Sequence, residues 1–341
     1  MHRRQLLTAG LAAGVAGLAP GMAAASGEPV LRGRVSANAA PKSPWDNQWL
    51  RFKERLAAAD TNIDLTYFLR SELGNEEIMM HAIRRDRVQI GGITLQGLSS
   101  VVPELTVLML PYLFDSQEEL DFIYEEHLTE PFRALFRRNG LELLQWAEVG
   151  WTNLYANRAI RVPADAAGLK LRGSPNPAAQ GFLSLIGADP VPLGVADLVP
   201  ALQTGLVQGG LSGVVFHFFI TRAYASDFTL TEHAYDTGAV VANADWFARA
   251  TPAQQRALRG AFGAAAETRG EVRKLAAGLL AAMEKQGIRV HRLTAEERRA
   301  WVDASRPLHD RIIARVGGDA RAIYDTVMAG KAAFQALRPS N

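Results

Sequence analysis

Residues 168–172 read Gly168-Leu169-Lys170-Leu171-Arg172. Leu169 and Leu171 alternate around Lys170, the period-two spacing of a short strand. The turn-rich run Gly173-Ser174-Pro175-Asn176-Pro177 follows. It opens an apolar helix face of Ala178, Ala179, Phe182, Leu183 and Ile186 that stops at Gly187. In an α/β sheet the carboxyl end of a strand faces the ligand crevice, and Arg172 stands at that end. Its guanidinium is planar and permanently charged, and it pairs bidentately with a carboxylate. Taken alone, the residue would serve a structural ion pair at least as well. Its surroundings decide.

Upstream, Trp151-Thr152-Asn153-Leu154-Tyr155-Ala156-Asn157 reads as a strand entering this half of the chain. Downstream, Pro190-Val191-Pro192 is a short edge segment, and residues 196–204 form a helix pattern that contains Pro200. Leu206-Val207-Gln208-Gly209-Gly210 is a strand running into a glycine turn, followed by Leu211 and Ser212. In the first half, residues 30–35 read as a strand leading to the loop with Asn38. Asn38 serves equally as a binding residue or as a turn former. Ser43-Pro44-Trp45-Asp46 starts a helix with serine at the N-cap and proline at the first position. Trp45, Trp49, Phe52 and Leu56 share one face of it. Ile63, Leu65 and Tyr67 alternate as a second strand. Val88, Ile90 and Ile93 make a third, which ends near Thr94 and Gln96. Strand–helix alternation of this kind predicts an α/β fold with parallel pairing. The apolar run between Pro103 and Phe114 is expected to be a buried extended segment. Residues 118–136 are helical in pattern, and residues 141–146 return as a strand. Thr251-Pro252-Ala253-Gln254 and Thr294-Ala295-Glu296-Glu297 are capping boxes. The apolar face after the first of them predicts one very long helix to about residue 286, eased by Gly263 and Gly270.

At 341 residues the chain is long enough for two lobes. Two of its 37 basic residues, Arg3 and Arg4, fall in a leader that holds no acid, which leaves 35 bases against 35 acids. That balance argues against a nucleic-acid or anionic-membrane surface. The absence of cysteine excludes disulfides, thiolate chemistry and cysteine-ligated metals. Residues 1–25 have the form of a secretion signal. A positive start at His2-Arg3-Arg4-Gln5 precedes an apolar run over residues 6–18 and a small-residue site at Ala23-Ala24-Ala25, with cleavage expected before Ser26. Arg3-Arg4-Gln5-Leu6-Leu7 resembles a twin-arginine export motif.

The order of pieces is specific. Leu73-Gly74-Asn75-Glu76 comes first, then the proline-bounded run ending Pro111-Tyr112-Leu113-Phe114, then Gly168-Leu169-Lys170-Leu171-Arg172. Gly187-Ala188-Asp189-Pro190-Val191-Pro192 and Ala201-Leu202-Gln203-Thr204-Gly205-Leu206-Val207-Gln208-Gly209 complete it. Together they resemble the DctP-like substrate-binding proteins of TRAP (tripartite ATP-independent periplasmic) transporters, over nearly the whole mature chain. The resemblance implies an α/β, two-lobed periplasmic-binding-protein fold. Each lobe would be a mixed sheet with flanking helices, and one long helix would bridge both. Lobe I is expected over 26–149 and 239–278, and lobe II over 150–238 and 279–341. The resemblance also implies a monomeric periplasmic receptor that delivers a small organic acid to TRAP membrane subunits. It would have no cofactor, no metal, no nucleic-acid partner and no direct membrane insertion.

By the same resemblance Arg172 pairs with the ligand carboxylate. Thr152 stands where sialic-acid binders of the family have a second arginine, Ser212 where an asparagine is frequent, and Thr94 where those binders have an acid. The expected ligand is therefore a smaller or more apolar carboxylate than a sialic acid. Trp151, Asn38, Gln96 and Phe216 complete the expected ligand-binding set, although a core role is the better reading for any single aromatic of the run at Phe216. Two alternatives remain open, a receptor feeding a sensor and a secreted enzyme acting on a carboxylate. Catalytic motifs are missing: there is no Gly-x-Ser-x-Gly, P-loop, His-Glu-x-x-His or Gly-x-Gly-x-x-Gly. His217 has no partner at metal spacing and reads as a satisfied core or surface histidine. The adjacent acids Glu76-Glu77 and Glu125-Glu126 read as solvated charges.

Overall fold

Two long antiparallel strands carry the architecture. The computed structural model describes residues 29 to 337, and the leader lies outside the described residues. In chain order the strands are β1 Leu31–Ala37, β2 Ile63–Phe68, β3 Ile90–Thr94, β4 Leu141–Ala156, β5 Lys170–Gly173, β6 Asp189–Pro192, β7 Gly209–Gly213, β8 Asp227–Asn243 and β9 Arg289–Arg292. β4 spans 16 residues and β8 spans 17, against about 5–6 for an ordinary strand. They pair with each other from Leu141↔Asn243 to Ala156↔Asp227. At one end β3 joins β8 antiparallel, and β1 and β2 extend the sheet in parallel. At the other end β7 joins β4 antiparallel, β5 and β6 extend it in parallel, and β9 adds to β8. Between the two ends, residues 148–151 of β4 face residues 235–237 of β8, with register shifts at Glu148/Gly150 and Thr152/Leu154. The result is two lobes, each a mixed sheet, joined through two shared strands.

Several local expectations reappear with a stated cause. The Ser43 hydroxyl accepts a hydrogen bond from the Asp46 amide and starts the helix Pro44–Ala58. Trp49, Phe52 and Leu56 of that helix are buried. Both capping boxes form, at Thr251/Gln254 and Thr294/Glu297. The edge segment at residues 190–192 lies within β6. Other expectations are corrected. The two strands expected at residues 141–146 and 151–157 are one continuous strand, β4, because Gly150 at φ 119° carries the chain through the bulge without ending the pairing. The run after Pro103 is a 3-10 helix, Pro103–Met109, and not an extended segment. Leu105, Val107 and Leu108 are all fully buried there, and an apolar run without periodicity does not distinguish the two conformations. The strand expected at residues 206–210 begins at Gly209.

The expected very long helix is two helices, Pro252–Gly260 and Ala265–Lys285. The break has a packing cause. Phe262 turns inward and stacks on Phe52 at 4.2 Å between ring centres. Gly263 takes φ 69°, and the Arg55 guanidinium occupies the space a side chain there would need while donating to the Phe262 carbonyl. The second helix does bridge the molecule. It runs from the helix Pro44–Ala58 past β4 to β9. The helix Ala295–Val316 packs on Pro177–Leu185 and on Pro103–Met109, and Ala320–Leu337 packs on Gln117–Ile123.

β5, which carries Arg172, is held by β7, and β7 lies very close to β4. A Cβ on Gly209 would sit 2.1 Å from the Tyr155 carbonyl oxygen and 2.9 Å from the Ala156 Cα. Backbone cannot yield as a flexible side chain can. Gly209→Ala is therefore expected to destabilise the protein by about 3 kcal/mol and to lower the melting temperature by roughly 5 °C. Unchanged melting would disprove the close approach.

Candidate functional site

A cavity of about 540 Å³ opens between the lobes. The carboxyl ends of β1 and β3 and the start of the helix Pro44–Ala58 wall it on one side. β4, β5, β7 and the segment after β7 wall it on the other. Of the residues expected from sequence, Arg172, Ser212, Thr152, Asn38, Thr94, Gln96 and Phe216 all line this cavity. Trp151 does not. Successive residues of a strand face opposite sides, so Thr152 toward the cleft sends Trp151 away from it. Trp151 packs edge-on to Tyr235 at 4.7 Å.

Arg172 follows from the alternation of its strand. Leu169 and Leu171 enter the core, at 8% and 0% exposed. Arg172 pairs across the ladder with Gly210, where a Cβ would come within 2.6 Å of the Arg172 carbonyl oxygen. Its Nε donates to the Leu193 carbonyl oxygen at 3.0 Å. The side chain is only 8% exposed, yet it forms no ion pair with the described residues. Arg269 is equally buried at 8%, but pairs with Glu125 at 2.9 Å and Asp121 at 3.2 Å. Burial pushes the Arg172 pKa down, while the fields of Tyr155 and Asp236 oppose that shift. Burying a charge without a close partner is costly, and the cavity beside this one is where a partner fits.

Three acids that sequence reading did not select also line the cavity, Asp236, Glu76 and Glu148. Asp236, in β8, accepts the Thr152 hydroxyl on Oδ2 at 2.8 Å. Burial raises its pKa, the Thr152 hydrogen bond and Arg172 lower it, and Glu76 adds a raising field. Glu76 was read as solvated, and the structure corrects this. Its Oε1 accepts from the Thr94 amide at 2.9 Å and its Oε2 from the Thr94 hydroxyl at 2.6 Å, and burial pushes its pKa up. Glu125 is exposed, as the sequence suggests, and pairs with Arg269. Thr94 and Thr152 thus face the cleft with their hydroxyls already engaged to acids. The Ser212 hydroxyl donates to the Gly213 carbonyl oxygen at 3.0 Å. Asn176 Oδ1 caps the helix Pro177–Leu185 at the Ala178 amide, 2.8 Å away. Trp45 and Phe182 supply aromatic wall, and Trp45 Nε1 is tied to the Glu148 carbonyl oxygen at 2.8 Å. His217 is fully buried, with Nδ1 bonded to Thr221 and Nε2 without a partner among the described residues.

The model of bacterial extracellular solute-binding protein family 7, DctP, matches residues 35–315. The chain belongs to that family. It is 28% identical over 251 residues to the 2,3-diketo-L-gulonate-binding periplasmic protein YiaO of Escherichia coli K12, covering 71% of this chain and 74% of the relative. It is 28% identical over 301 residues to the C4-dicarboxylate-binding periplasmic protein DctP of Rhodobacter capsulatus, covering 86% and 88%. The fold matches the ectoine-binding protein of the TeaABC TRAP transporter of Halomonas elongata with TM-score 0.83 at 22% identity, over 89% of this chain and 99% of that one. Like these solute-binding proteins, the chain has the two-lobed architecture. Among the described residues no helix is long and apolar enough to cross a membrane.

Proposed function

We propose that the protein is a periplasmic receptor that captures a small organic carboxylate in the interlobe cleft and delivers it to a TRAP-type membrane transporter. The observation that carries this is Arg172, a buried arginine at the cavity wall without an ion pair among the described residues. The names of the Escherichia coli and Rhodobacter capsulatus relatives specify ligands that carry carboxylates, and family membership supports the same role. Residues 1–25 act as the export signal, in twin-arginine form. The moving bodies are residues 26–149 with 239–278, and 150–238 with 279–341, flexing at the register shifts of β4 and β8. The helix Ala320–Leu337 reaches across onto Gln117–Ile123. The protein binds without chemistry.

Gentle purification, denaturation and mass spectrometry of released small molecules test this directly. The expected result is a stoichiometric carboxylate recovered unchanged. In a thermal-shift panel, organic acids should raise the melting temperature and uncharged analogues should not. A bound compound that is converted over time would overturn the receptor reading in favour of an enzyme.

A further inference from the structure

Charge balance in the cleft narrows the ligand class. Arg172 faces a cavity that also holds Asp236 and Glu76. The other ionisable groups at its wall are engaged elsewhere. The Glu148 carboxylate is bound by Arg273 at 2.8 Å and by the Tyr235 hydroxyl. His233 Nδ1 is bonded to Thr231, and its ring is stacked on Phe182 at 4.2 Å. Asp236 keeps Oδ1 without a donor from the described residues, since Thr152 uses Oδ2. Each Glu76 oxygen accepts one bond from Thr94, and a carboxylate offers about four acceptor sites.

We propose that the ligand is a zwitterion, with its carboxylate seated on Arg172 and a cationic nitrogen, ammonium or amidinium, set against Asp236 and Glu76. This rests on the organic-anion reading of the same cleft and refines it. A ligand carboxylate cancels Arg172 and leaves two acids. A dicarboxylate would place its second negative charge toward them, which low surrounding polarity makes strongly repulsive. An apolar tail would dry both acids without giving either a partner. A polyhydroxy acid would supply hydrogen-bond donors but no positive charge. A cation supplies both, and it neutralises one acid. Burial pushes both carboxyls toward the protonated form, and a cation set against them would oppose that push. The placement suits a clamp. Glu76 starts the helix Glu76–Arg84 of the first lobe, Arg172 ends β5 of the second, and Asp236 lies where β8 passes between them.

The test is titration calorimetry at neutral pH on the full mature protein after removal of any co-purified compound. The zwitterionic probes are 4-aminobutyrate, glycine betaine and ectoine. The comparison probes are 4-hydroxybutyrate, succinate and gluconate. The expected result is that at least one zwitterion binds ten-fold or more tightly than every comparison probe. Asp236→Asn, and separately Glu76→Gln, should remove that preference, each checked for an unaltered fold by circular dichroism. Tightest binding of succinate, gluconate or 4-hydroxybutyrate to the unmodified protein would overturn the zwitterion while leaving the carboxylate receptor intact. So would a zwitterion preference that survives both substitutions. Failure of every carboxylate probe to bind would overturn the organic-anion reading itself.

Discussion

Arg172→Ala should abolish useful ligand binding while leaving the empty protein at least as stable as before. Truncating one partner of a buried, hydrogen-bonded charge pair costs about 2–5 kcal/mol, or roughly thirty-fold to several-thousand-fold in affinity. Among the described residues the guanidinium makes one bond, from Nε to the Leu193 carbonyl oxygen, which leaves its other donors for the ligand. Lysine at this position keeps the charge but not the planar fork, and should recover only part of the loss. The melting temperature of the empty protein separates the two roles open to this residue. A structural ion pair would make Arg172→Ala destabilising. An arginine buried without an acidic partner is a cost to the empty fold, so its removal should leave melting unchanged or raise it. Full ligand stabilisation in Arg172→Ala would end the carboxylate-anchor account.

The second large effect concerns acid. Burial, with a smaller push from Arg222, lowers the His217 pKa to about 4, and burial lowers that of His233 to about 3. In the unfolded chain both titrate near 6.5. As pH falls below that value the unfolded chain takes up protons that the folded protein refuses. Stability contributed by the neutral histidines is therefore complete above about pH 6.5 and declines on acidification toward the folded values. The expected slope is about 1.4 kcal/mol per pH unit for each histidine. The buried carboxyls Glu76, Glu148, Glu232 and Asp236 have raised pKa values and act in the opposite sense, gaining protons in the fold first. Comparison with a His217→Phe/His233→Phe variant isolates the histidine part, since phenylalanine can keep the stacking on Phe228 and Phe182. Denaturant unfolding between pH 6.5 and 4.5 should show a markedly flatter decline in the variant. Parallel curves would mean that these histidines do not titrate as their burial implies.

Much of the fold was legible because backbone geometry repeats over short distances. The leucines flanking Lys170 marked β5, and the serine–proline start marked the helix at Pro44. Glycine at positions 209 and 210 reads as a turn, whereas both residues lie within β7, where the strand comes too close to its neighbours for a side chain. The misreadings share a cause. Nothing near Phe262 in the chain says that it will stack on Phe52, and that stacking breaks the helix at Gly263. Glu76 beside Glu77 reads as surface charge until Thr94, 18 residues on, donates two bonds to it. Trp151 and Thr152 were both candidates, and only the direction of the pleat chooses Thr152.

By itself the sequence determined the alternation of strands and helices, their caps, and an arginine at the end of a strand facing a crevice. These depend on spacing along the chain, which hydrophobic periodicity and terminal hydrogen bonds dictate locally. The tertiary structure alone decided that Arg172 is buried without an acidic partner among the described residues and that Glu76 and Asp236 share its cavity. A charge acquires its meaning from the charges and solvent around it, and packing of distant segments sets both.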